Sequence, residues 1–409
     1  MTPLERVLRE DWGRLLALLV AQYRRLDLAE DGLADAVEAA ARTWSGLPGG
    51  APDNPPAWLL TAARRRVLDR LRTETVAARK LPLLAVDAEL TEEAQRTMAD
   101  ADEVVTDERL RLVLLCAHPS LPREAAAALT LRLVMGVSTE DLARLFLLRT
   151  SAMAARLTRA RKAVAHEAFT VPSGAELGRR VAVVADVAYL AFTAGYAPGS
   201  GSDVLRADVA AEAIRLVRVL RTVLPREVDD ATRHEVDALL ALMLLQHSRR
   251  DARVADDRVV LLPDQDRARW HHDEIAEALD LLTPLAHAPA TPYLLQALIA
   301  SEHAIARTAA DTDWARVVAR YDELLALAPS PVIALNRAVA VGEADGPLAG
   351  LAAMDGLTMP GHRLPAARAE LLARAGRSEE ARAGYDAAID LCGNEAERDH
   401  LEQRRALLA

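Results

Sequence analysis

Apolar residues recur along nearly the whole chain at spacings of three and four, with Ala and Leu dominant and alternating β-branched runs missing. That period is helical, so the chain is expected to be all-α. Pro and Gly clusters divide the pattern. Leu47-Pro48-Gly49-Gly50-Ala51-Pro52 and Asn54-Pro55-Pro56 break the first region, leaving Pro56 as a first-turn proline for a helix from about Ala57. A charged stretch of poor periodicity, from about Thr75 to Asp107, reads as a linker. Thr170-Val171-Pro172-Ser173-Gly174 closes a second helical region. More helices follow from about Ala175, separated by breaks such as Ala197-Pro198-Gly199-Ser200-Gly201 and Ala288-Pro289. The expected organisation is two small helical domains, 1–75 and 108–169, joined by a linker over 76–107, then a helical array over 175–409.

The second domain carries the most specific local pattern. Ser138 or Thr139 is placed to cap a short helix running to Phe146, with Glu140 and Asp141 in the first turn, where the helix dipole favours acids. A turn, Leu147-Leu148-Arg149, leads to a longer helix capped by Thr150 or Ser151 and running from Ala152 to about Glu167. Leu142 and Leu145 are positioned to pack on Met153 and Leu157, Val164 continues that stripe, and Ala143 is small at the crossing. This is a helix-turn-helix, whose second helix enters the major groove in DNA-binding proteins. Its outward face carries Ala155, Thr158, Arg159 and Lys162, flanked by Arg156 and Arg161. The basic groups there can neutralise phosphates, and Arg159 can reach a guanine edge. A basic, solvated helix in an ordinary three-helix core has the same pattern.

Charge sharpens the picture through its distribution. The net charge is −10, which argues against a protein that coats nucleic acid everywhere. Only Lys80 and Lys162 are lysines, so arginine abundance by itself says little. Residues 58–80 nevertheless carry net +5 and residues 123–168 net +4, leaving −19 for the remainder. Two basic segments sit in an acidic chain. Apolar runs fall short of the ~18–20 residues of a membrane span, and no signal peptide is evident, so a cytoplasmic protein without membrane contact is expected. Cys116 and Cys392 stand outside any C-x-x-C pattern, which speaks against a disulfide framework or thiolate zinc site.

The first basic segment is the helix Ala57-Trp58-Leu59-Leu60-Thr61-Ala62-Ala63-Arg64-Arg65-Arg66-Val67-Leu68-Asp69-Arg70-Leu71-Arg72, which presents guanidinium groups beside a packing face. An acidic amphipathic helix precedes it, beginning Asp27-Leu28-Ala29-Glu30-Asp31-Gly32-Leu33-Ala34-Asp35-Ala36-Val37 and reaching Trp44. In order and spacing, the acidic helix, the arginine helix, the linker and the helix-turn-helix resemble regions 2 and 4 of extracytoplasmic-function sigma factors of the sigma-70 family. The rest resembles the subgroup with a tetratricopeptide-like C-terminal extension, through Leu112–Pro119, Val184–Tyr196, Leu205–Arg215, Val260–Trp270 and Ser330–Ala340. The resemblance implies a non-enzymatic subunit, without cofactor, that binds core RNA polymerase at the β′ clamp and β flap and directs it to promoter DNA. It implies that Asp31, Asp35 and Glu38 dock on the clamp. Arg64, Arg65, Arg66 and Arg70 would face the −10 element and its separated strand, which needs a basic groove. Arg149, Ser151, Ala155, Thr158, Arg159 and Lys162 would meet the −35 duplex. Arg65 stands where related factors often carry asparagine, Ala154 and Ala155 where longer polar groups are frequent, and Ala34 where glutamine is usual. These departures are expected to alter promoter preference.

In the C-terminal half, Pro365–Asn394 reads as one helical pair, with Gly376 ending the first helix and Ser378 capping the second. Trp314–Ala328 with Pro331–Val341 reads as another. Such an array offers a groove for a protein or peptide, as a built-in regulator or an activating contact. His247, His271, His272, Asp256, Asp257, Asp264 and Asp266 lie near one another in sequence, without the spacing of a metalloenzyme motif. Asp264, Asp266 and Trp270 are expected to begin and brace a helix. A different class also fits the helix-turn-helix: a one-component regulator with a tetratricopeptide-like sensor, binding an operator without polymerase. It has no need of the arginine helix or its acidic neighbour.

Overall fold

The computed structural model describes residues 2–47, 50–75, 102–146, 148–196, 207–226, 228–255 and 258–408. The linker expected over 76–107 lies outside the described residues as far as residue 101, as does the Ala197–Gly201 break. Among the described residues the chain is all-α apart from a two-residue antiparallel ladder, Val254–Ala255 with Arg258–Val259. It forms two compact units: residues 1–190 with 215–229, and residues 191–214 with 230–409.

In the first unit α1 (Pro3–Tyr23) opens with a capping box. Thr2 Oγ1 accepts from the Glu5 amide at 3.2 Å while the Glu5 carboxylate accepts from the Thr2 amide at 2.7 Å. Leu15, Leu16, Ala17 and Leu19 of α1 are fully enclosed. The acidic helix α2 (Leu26–Thr43) packs along α3 (Pro55–Thr75), the arginine helix. Gly32 permits their close approach, because a Cβ there would sit 2.7 Å from Val67 Cγ2. Helix α3 starts at Pro55, with the Asn54 side chain accepting from the Ala57 amide at 3.1 Å. Trp44 and Trp58 meet edge to face at 5.5 Å.

The same unit continues with α4 (Asp102–Cys116), α5 (Arg123–Leu133), α6 (Thr139–Leu145) and α7 (Thr150–Val164). Ser138 is the cap of α6. Neither Thr150 nor Ser151 caps α7: Arg149 holds that place without a side-chain bond, so the helix begins two residues before Ala152 and ends three before Glu167. Leu142, Leu145, Met153, Leu157 and Val164 are buried as the stripe predicts. Part of α8 (Gly174–Tyr196) also belongs here, since Arg180 Nη2 donates to the Leu114 carbonyl at 2.7 Å. So does the later part of α9 (Ala207–Val223), where Arg215 donates to the carbonyls of Arg9 and Met135.

The second unit is built on α10 (Asp230–His247), whose run from Ala238 to Leu245 is buried against α11 (His272–Leu282) and α12 (Pro292–Ile305). Helices α13 (Trp314–Leu327), α14 (Pro331–Ala344), α15 (Pro347–Ala353), α16 (Arg363–Arg374), α17 (Ser378–Leu391) and α18 (Glu395–Ala406) follow, each packed on the next. Gly376 takes φ +76° just past α16, the left-handed stop expected of it. Ser378 does not cap α17; Arg377 occupies the cap and Ser378 is the first helical residue.

Candidate nucleic-acid interface

Helix α7, the second helix of the helix-turn-helix, divides cleanly into two sides. Met153, Leu157, Ala160 and Val164 face the core, and the opposite side leaves Ser151, Ala155, Thr158, Arg159 and Lys162 exposed, with Arg149 exposed at the cap. Thr158 Oγ1 donates to the Ala154 carbonyl at 2.9 Å, which keeps its methyl outward. Arg149, Arg159 and Lys162 thus form a row of cations on one helix face, suited to phosphates and guanine edges. Arg156 leans over the Phe146 ring at 6.0 Å, half-buried.

Helix α3 distributes its arginines differently from a single basic face. Arg65 and Arg66 are exposed, whereas Arg64 is only 4% exposed and turns inward. Arg70 reaches back to α2, donating to Asp31 at 2.6 Å and Asp35 at 2.8 Å. The structure therefore joins one arginine expected at −10 to two acids expected at the polymerase clamp. Asp31 keeps 63% of its side chain exposed and Asp35 37%, so both still face solvent. Glu38 is exposed and paired with Arg42 one turn on.

Sequence reasoning gave no role to Glu30, which is buried on α2 within the first unit. Its carboxylate accepts from Arg132 of α5 at 2.9 Å and from Arg161 of α7 at 2.6 Å. Arg132 also lies 5.7 Å from the Trp12 ring, and Arg24 sits over Phe169 at 5.3 Å while donating to its carbonyl. Gly136 and Gly13 allow contact without side chains: a Cβ on Gly136 would sit 2.9 Å from the Trp12 ring, and one on Gly13 2.3 Å from the Val134 carbonyl oxygen. Burial, and then the Glu30 charge, push the nearby Cys116 thiol up, so it stays protonated. Arg161, expected to flank the DNA face, is thus committed to α2. A cavity of about 580 Å³ opens beside this contact, between the start of α2 and the end of α7, with Arg24, Asp27, Asp31, Thr158 and Lys162 on its walls.

In the second unit, His247 and His271 come together through protein partners. His247 Nδ1 lies 3.0 Å from Glu274, which accepts from Arg250 at 2.9 Å; Arg250 meets His271 Nδ1 at 3.0 Å, and His271 Nε2 lies 2.8 Å from Asp251. These side chains bond to one another in a continuous network, with His247 Nε2 buried and left without a hydrogen-bond partner among the described residues. His272 is exposed, and Asp256 and Asp257 lie outside the described residues. Asp266 caps a short turn, accepting from the Ala268 amide at 3.0 Å, and buried Trp270 is braced by Arg267 at 4.5 Å.

Comparisons with known proteins agree with the helix-turn-helix. Residues 111–164 match sigma-70, region 4, and residues 180–286 match a family of unknown function (DUF6596). The first match spans the helix-turn-helix, α4 to α7, and makes that part of the chain similar to region 4 of sigma-70 proteins. Over 408 residues it is 37% identical to an uncharacterized protein of Rhizobium meliloti (strain 1021), covering 96% of this chain and 93% of that protein. The chain belongs to the same family as that Rhizobium protein. No solved structure matches it. Among the described residues, no helix is long and apolar enough to cross a membrane.

Proposed function

We propose that this protein is a sigma factor of the extracytoplasmic-function kind, which binds core RNA polymerase and aims it at specific promoters. The exposed row Arg149, Arg159 and Lys162 on a region 4 recognition helix carries the reading. In this reading Ser151, Ala155 and Thr158 complete the −35 contact, Arg65 and Arg66 face the −10 strand, and Asp31, Asp35 and Glu38 meet the β′ clamp. Arg64 and Arg70 support that surface from within, one buried and the other braced between Asp31 and Asp35. The protein makes and breaks no covalent bond: it positions polymerase and holds melted DNA.

Domain contact through Glu30 gives this reading a mechanical consequence. Arg161 and Arg132 hold the recognition domain against α2, so engaging −10 and −35 together requires that contact to open. The helical array after residue 175, tetratricopeptide-like in this reading, regulates or supports the process and offers its groove to a protein or peptide.

The test is binding of the full chain to purified core polymerase, followed by footprinting on the promoter of its own gene. Co-elution with core and protection at both −10 and −35 are expected. Protection of an operator by the protein alone, with no affinity for core, would instead establish the one-component regulator.

A further inference from the structure

Three potential metal ligands converge at the far end of the second unit. His362 precedes α16, Cys392 ends α17, and Glu397 lies in the first turn of α18. One ligand atom of each lies within 4.8 Å of the other two, and His362 Nε2 is 3.0 Å from the Glu397 carboxylate. Zinc binds imidazole nitrogen, carboxylate oxygen and thiolate sulfur at ~2.0–2.3 Å, which sets ligand atoms roughly 3.3–3.8 Å apart in a tetrahedron. The three groups reach that spacing by side-chain rotation. Their backbone is held firmly: Asn394, 2% exposed, accepts from the Glu397 amide at 3.0 Å, and Arg398 donates to the Cys392 carbonyl at 2.5 Å.

We propose that His362, Cys392 and Glu397 form a binding site for a divalent, borderline-soft transition metal of the zinc class. The mixed nitrogen, sulfur and oxygen set suits such an ion and discriminates against magnesium and calcium, which take oxygen ligands. His362 and Glu397 also line a cavity of about 380 Å³, where His400 stands one turn along α18 from Glu397. The ion is reached from that cavity. In the free protein Cys392 Sγ donates to the Asn394 carbonyl at 3.4 Å. Binding exchanges that S–H for a sulfur–metal bond and releases one proton to solvent, so affinity rises with pH. The bound ion ties the start of α16 to the α17–α18 loop.

The experiment uses the full-length protein, stripped with chelator and titrated with zinc against a chromophoric competitor, and separately with cobalt. One equivalent per chain is expected, with a thiolate-to-cobalt charge-transfer band and the visible bands of tetrahedral cobalt. Cys392→Ser should abolish the charge-transfer band, and His362→Gln and Glu397→Gln should each weaken zinc by at least about tenfold, the loss seen when even outer partners of a metal site are removed. Cys116→Ser should bind as the wild type does. Absence of binding, or a charge-transfer band that survives Cys392→Ser, would overturn the proposal. Should Cys392→Ser fail to fold by circular dichroism, unchanged zinc affinity in folded His362→Gln overturns it equally.

Discussion

Replacing Glu30 by glutamine keeps its shape and removes the charge that joins α2 to α5 and α7. The carboxylate is 6% exposed and its partners Arg132 and Arg161 are 20% and 25% exposed. Breaking a buried ion pair costs about 3–5 kcal/mol, because an uncompensated charge stays inside. Here both guanidinium groups reach some water, so the cost falls below that range, to about 2–3 kcal/mol. Urea unfolding of the full chain, followed by tryptophan fluorescence, reads this directly, since Trp12 lies beside Arg132. With an m-value of about 1–3 kcal/mol/M, the first transition should move down by about 1 M urea. A double-mutant cycle with Arg161→Gln should give a coupling of at least about 1 kcal/mol. Glu38→Gln, which breaks only an exposed pair with Arg42, should change stability by less than about 0.5 kcal/mol. Additivity of Glu30→Gln and Arg161→Gln within about 0.5 kcal/mol would refute the buried clasp.

Arg159→Ala should weaken binding to duplex promoter DNA and lower the salt slope by about one phosphate contact, read by fluorescence anisotropy across salt concentrations. Asp31→Arg should abolish co-elution with core polymerase while leaving circular dichroism unchanged, because Asp31 is exposed and Arg70 retains Asp35. His303 is held down to about 4 by burial and then by Arg249 and Arg267. The unfolded chain therefore binds a proton that the folded one refuses as pH falls from about 6.5 to about 4, and stability drops across that window by up to about 3 kcal/mol. His303→Gln should flatten that part of the pH–stability curve. Gly350→Ala places a Cβ 2.8 Å from Gly342 Cα, and the overpacking should cost about 1–3 kcal/mol by thermal unfolding.

Helical periodicity made most of the fold legible, because amphipathic stripes such as Leu142, Leu145, Met153 and Leu157 announce both a helix and its buried face. Caps were less so. Asn394, Asp313 and Ser330 accept amide bonds at helix starts, yet Arg149 and Arg377 hold cap positions that Thr150 and Ser378 could have taken on composition alone. The site divides the same way. Exposure of Arg159 and Lys162 follows from their place opposite the apolar stripe, and the same reasoning put Arg64 outside, whereas the folded chain leaves it 4% exposed. Glu30 left no trace in the pattern: its partners lie 102 and 131 residues away, and only the tertiary fold brings them together. The ligands His362, Cys392 and Glu397 likewise come from three helix ends, a juxtaposition that no local spacing encodes.

The central claim is tested most directly by run-off transcription with purified core RNA polymerase, the full-length protein and the promoter of its own gene. Transcripts that depend on the added protein, and that disappear with Asp31→Arg, are predicted. Sequence-specific DNA binding by the protein alone, with no transcript at any concentration, would contradict the account and identify an operator-binding regulator.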